Sequence, residues 1–115
     1  MKVYRVENPQ DGLGPYQYGV VDWRHYDEEK CPSPSEDGMP FPYGAREYYF
    51  GCLTKTALKK WFDLDALETF EQQGLLVYEY DVPLDNVLVG KKQIAFKKDV
   101  VYSKKHIPTK KLTLH

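Results

Sequence analysis

Side chains able to do chemistry are few in this chain, and they are scattered. His25, His106 and His115 stand far apart. An isolated imidazole with no matched partner points to surface or packing duty rather than acid–base work. Cys31 and Cys52 form neither a CxxC pair nor a disulfide framework, and no His or Cys spacing suggests zinc, so no metal is expected. Cys52 lies just before an expected helix start, a position that favours a thiolate. Its neighbours Phe50 and Leu53 argue instead for a buried strand end, while Cys31, beside Lys30 in a Pro/Ser stretch, reads as exposed. Glu28 and Glu29 are adjacent and diverge in any regular structure, so they make no glycosidase pair. Gly12-Leu13-Gly14-Pro15 carries paired glycines without the strand-to-helix setting that cradles phosphate.

Tyrosine is the unusual signal. The chain holds ten, mostly outside the expected helices. Aromatic rings with polar tips suit a stacking surface, a protein interface, or strands with one wet face. Tyr16, Tyr18, Tyr43 and Tyr48 stand out for the first two roles because of their glycine-rich surroundings.

The elements that must position these groups read as follows. Met1–Glu7 alternates, with Val3, Arg5 and Glu7 on one face and Lys2, Tyr4 and Val6 on the other, which predicts a strand. Asn8 to Gly44 carries six of the eight prolines and five of the eight glycines. Within it only Tyr18–Glu29 has room for a helical turn or two, and Lys30–Gly44 is expected to be an irregular surface loop. Glu47–Cys52 reads as a short strand. Thr54 is then a good N-cap for a helix with Leu58, Trp61 and Phe62 on one stripe. A second helix starts at Asp63 or Asp65 and stops at Gly74. Leu75–Val82 is the strongest strand, followed by Val87–Val89, Gln93–Phe96 and Val100–Tyr102. Strand Val3–Val6 should pair near Val77–Val82, and Trp61 and Phe62 should bury against that sheet. The fold class is α+β: residues 1–115 as a small single domain, with a mixed or antiparallel sheet, two short helices and a long irregular Pro/Gly-rich loop.

Composition narrows the class of function. At 115 residues, 42% hydrophobic and 15% aromatic, the chain fits one folded domain, not a disordered tail. A chain of this length buries about two-thirds of its unfolded surface without metal or disulfide staples. No apolar run reaches a membrane span and Met1–Arg5 opens no signal-peptide core, so no membrane contact and a cytoplasmic location with reduced thiols are expected. Net charge is −1 but unevenly spread. Residues 1–50 hold five Lys/Arg and nine Asp/Glu, net −4, whereas residues 91–115 hold eight Lys and one Asp, net +7. The basic Lys91–Lys111 segment is either a solvated tail or a surface steering the protein to nucleic acid or an acidic partner.

The order of elements resembles a known superfamily. Val3-Tyr4-Arg5-Val6, Tyr48-Tyr49-Phe50-Gly51-Cys52-Leu53-Thr54 and Lys92-Gln93-Ile94-Ala95-Phe96 look like the three-part skeleton of ADP-ribosyltransferase-like proteins. That resemblance implies NAD as cofactor. It implies that Arg5 holds the cofactor on the first strand, that Tyr48, Tyr49 and Thr54 shape the nicotinamide pocket, and that Gln93 takes the catalytic late-strand position. Physically, Arg can fork onto a pyrophosphate, and a positioned amide can meet ribose hydroxyls. Phe50-Gly51-Cys52 stands in place of the superfamily's central Ser-Thr-Ser, and Gln93 has no basic group to take a proton.

A small tyrosine-rich chain of this kind also looks like a phage or prophage accessory protein. Two functions are therefore expected in competition, and whether the chain is an enzyme stays open between them. One is a small NAD-using ADP-ribosyltransferase-like protein acting on a host factor. The other is a non-enzymatic inhibitor that binds a host protein through its tyrosine-rich loop and basic C-terminal segment.

Overall fold

The computed structural model describes residues 1–19, 48–97 and 101–112. Nine regular segments and two 3₁₀ turns are found there. They are β1 (Lys2–Glu7), α1 (Pro15–Tyr18), β2 (Tyr48–Gly51), α2 (Lys55–Trp61), α3 (Leu64–Gln72), β3 (Leu76–Asp81), β4 (Val87–Val89), β5 (Ile94–Lys97) and β6 (Ser103–Ile107), with the 3₁₀ turns at Leu84–Asn86 and Thr109–Leu112. Two three-stranded antiparallel sheets result, ordered β1-β3-β6 and β2-β5-β4. The α+β expectation holds.

Local chemistry explains the helices. The Thr54 side chain accepts from the Ala57 N–H at 3.0 Å, and Asp63 accepts from the Ala66 N–H at 2.9 Å, so both helices carry the side-chain caps their first turns need. Gly74 ends α3 at φ +84°, a left-handed conformation that glycine adopts without a Cβ clash.

The β1–β3 pair of the first sheet packs on both faces, whereas the edge strand β6 is largely exposed. Alternation along β1 sends Val6 to one side, where it meets its register partner Val77, and Val77 in turn meets Ile107. That side packs on Leu58, Phe62, Leu67 and Phe70 of the helical layer. Val3 and its partner Tyr80 point the other way, against Ile94 and Phe96 of the second sheet. Helices, first sheet and second sheet thus form three layers. The two sheets touch directly where the Tyr4 and Cys52 backbones exchange two hydrogen bonds of 2.8 Å. Gly51 permits this approach, because a Cβ there would sit 2.5 Å from the Tyr4 carbonyl oxygen.

Several sequence expectations need correction. Of the strand expected at Val100–Tyr102, Val100 lies outside the described residues and Val101 and Tyr102 are not in a strand; the sixth strand is Ser103–Ile107, hydrogen-bonded to β3 along its length. Its run of polar residues hides it from an alternation rule, and it is held in place as a sheet-edge strand by its neighbour's backbone. Gly12-Leu13-Gly14 does follow a strand and precede a helix, but that helix is the single turn Pro15–Tyr18. Phe62 is buried as expected, whereas Trp61 is only half-buried. The expected Lys30–Gly44 loop, together with Cys31, His25, Glu28, Glu29 and Tyr43, lies outside the described residues.

Candidate functional site

Arg5 enters the structure as an internal group. Its side chain is 7% exposed, and all three guanidinium nitrogens donate. Nε bonds Glu7 Oε1 at 3.1 Å, one terminal nitrogen bonds the Phe50 carbonyl at 3.0 Å, and the other bonds the Gly12 carbonyl at 2.6 Å. The Tyr49 ring lies over the guanidinium, 4.1 Å from ring centroid to Cζ. Burial pulls the Arg5 pKa below its ordinary value, while Glu7 opposes that shift. Glu7 is 1% exposed and also accepts from the Tyr80 hydroxyl and, at 2.7 Å, from Lys104 Nζ. Burial and the Glu7 contact both push the Tyr80 hydroxyl well above its usual range. Arg5 therefore ties strand β1 to the Gly12 turn and to β2; its partner is Glu7 on its own strand, rather than Glu79 or Asp81 on β3.

Tyr49 belongs to the same interior, with its ring 6.1 Å from Tyr80 and 5.9 Å from Phe96. Tyr48 is half-exposed at the start of β2, opposite Lys97. Cys52 is 4% exposed within the core beneath the helices, so it is packed rather than presented. His106 is exposed on β6 with its ring 5.8 Å from that of Tyr78. Among the described residues, no group of three or more His, Cys, Asp or Glu is placed to hold a metal ion.

Thr54 and Gln93 do come together. Both line an open groove of about 650 Å³ between α2 and the turn joining β4 to β5, a size within the usual span of ligand sites. One wall is the N-terminal turn and exposed face of α2, with Leu53, Ala57 and Trp61 giving it apolar character. The other is the Gly90–Gln93 turn, closed by a 2.9 Å bond from the Gly90 N–H to the Gln93 carbonyl. Lys60 stands on the first wall, and Lys91 and Lys92 on the second; among the described lining residues none is acidic. The Trp61 indole N–H donates to the Tyr16 hydroxyl at 2.9 Å, which fixes the ring that borders the groove. Arg5, Tyr48 and Tyr49 are not among its lining residues.

The described lysines of the Lys91–Lys111 segment stand in several different settings. Lys91 and Lys92 border the groove, Lys104 is engaged by Glu7, Lys105 pairs in register with Glu79 on β3, and Lys110 and Lys111 lie in the last 3₁₀ turn. Sequence reasoning flagged Thr54, Gln93 and this segment, but had no signal for Lys60 and Trp61 as groove residues. The apolar stripe that carries Trp61 announces packing, and neither it nor the exposed Lys60 points to the β4–β5 turn opposite.

An α+β protein with a basic, apolar-walled groove and a saturated internal ion cluster is the class that this geometry defines. The chain belongs to the bacteriophage T4 Y00F protein family, whose family model matches residues 1–110, and it is thus a phage protein. No curated protein and no solved structure matches it. No described helix is long and apolar enough to cross a membrane.

Proposed function

We propose that this phage protein is a non-enzymatic binding protein that acts on a host protein in the cytoplasm through the groove between α2 and the β4–β5 turn. The observation that carries this reading is the groove's composition: Leu53, Ala57 and a held Trp61 beside Lys60, Lys91 and Lys92, with no acidic side chain in the described lining. Interfaces concentrate their affinity in apolar and aromatic anchors ringed by polar groups, and tryptophan is prominent among them. The buried Arg5-Glu7-Tyr80 cluster is spent on internal hydrogen bonds.

The test is site-specific crosslinking in phage-infected cells. Benzoylphenylalanine in place of Thr56, a groove residue, should capture a discrete host protein. The same group in place of Leu84, 67% exposed on the first 3₁₀ turn and outside the groove lining, should not. Equal capture at both positions, or none at Thr56, overturns the reading.

One observation favours a second reading, NAD binding by an ADP-ribosyltransferase-like protein: Thr54 and Gln93 share the groove. NAD would then sit there without Arg5. Calorimetry with millimolar NAD should show heat that Gln93→Ala removes, and no heat from the unaltered protein ends this reading.

A further inference from the structure

We infer that the partner presents to the groove an acidic segment, with Asp or Glu side chains on both sides of one apolar anchor. The inference rests on the binding reading above and specifies its chemistry. Positive charge stands on both walls, Lys60 on α2 and Lys91 with Lys92 on the facing turn, and the apolar surface of Leu53, Ala57 and Trp61 lies on the helical wall. A segment with charge on one side only would leave one wall unmatched. A purely charged segment would leave the Trp61 face without an apolar counterpart. Complementary charge across such a groove also raises the association rate and rejects basic competitors.

Nucleic acid, the other polyanion, fits less well. The groove's cations are all lysines, which lack the planar fork that Arg offers to phosphate. A backbone-tracking surface needs a continuous charged path. Here Lys104 is engaged by Glu7, and Lys59 Nζ donates to the Leu112 carbonyl at 2.8 Å.

The experiment selects from a random decapeptide library on the full chain, with a 20-nucleotide single-stranded DNA as a competing probe. Selected peptides should be enriched in Asp and Glu around one aromatic or aliphatic residue. The double variant Lys60→Glu, Lys91→Glu changes two exposed groove residues and should keep the melting temperature. It should weaken the selected peptides by about tenfold or more, and shift selection towards Lys and Arg. Selection of neutral or basic peptides by the unaltered protein, or no enrichment at all, overturns the inference. So does tighter binding of the DNA than of any selected peptide. If Thr56 still captures a host protein while the library shows no acidic preference, the binding reading stands and only this inference falls.

Discussion

Arg5 shows how a residue type suited to ligand chemistry is turned to internal use by where its strand lies. The alternation of Val3-Tyr4-Arg5-Val6-Glu7 correctly puts Arg5 and Glu7 on one face, but a single strand cannot tell whether that face is wet. The second sheet covers it, and burial then requires each guanidinium nitrogen to find an acceptor. Those acceptors are Glu7 and the Phe50 and Gly12 carbonyls. Removing the arginine would take a donor from the Phe50 and Gly12 carbonyls and one of two cationic partners from Glu7. Arg5→Ala should therefore lower stability by about 3–5 kcal/mol in urea unfolding, the usual range for breaking a buried pair. Arg5→Lys should recover only part of the loss, because one ammonium cannot reach three divergent acceptors. A melting temperature unchanged in Arg5→Ala would contradict this account.

At the scale of elements, what sequence made legible is what local rules control. Thr54 and Asp63 cap helices as expected because a side-chain oxygen three residues ahead of a free N–H needs no tertiary help. Strands β1, β3 and β4 were readable from their β-branched and aromatic content. Strand β6 was not: four of its five residues are exposed, and backbone pairing with β3 defines it rather than a buried face. The groove was half legible for the same reason. Thr54 and Gln93 were picked out, but Lys60 and Trp61 become groove residues only once the β4–β5 turn is folded against α2. The junction between the sheets offers a direct test. Gly51→Ala would press a methyl group against the Tyr4 carbonyl and the Val3 side chain. It should cost about 1–3 kcal/mol, measured by chemical denaturation, as overpacking does where the obstacle is backbone. Full stability in this variant would mean that the two sheets can separate locally without penalty.

For the whole molecule, three layers share one central sheet, and tyrosine hydroxyls sit beside carboxylates on both of its faces. Tyr4, on the helical side, donates to Glu79 at 2.9 Å; burial first and that carboxylate second push its pKa up to about 12. Tyr80, on the other side, is raised by burial and then by Glu7. In the unfolded chain both titrate near 10. A hydroxyl whose pKa is higher in the folded state favours folding while it remains protonated. Its contribution is whole below pH 10 and is lost as pH climbs through the folded value. The protein should thus be progressively destabilised above pH 10, with Tyr4 responsible for the part that falls between about 10 and 12. Lysine side chains in general lose their charge over a similar interval, so the alkaline decline alone does not isolate the tyrosines. Tyr4→Phe does. It should cost about 1 kcal/mol at neutral pH, the usual worth of one such hydrogen bond, and flatten the decline between pH 10 and 12 relative to the unaltered protein. Urea unfolding at a series of alkaline pH values reads both effects. Parallel declines in the two proteins would show that Tyr4 stays protonated no more readily in the fold than in the open chain, and would assign the alkaline loss to the lysines and Tyr80.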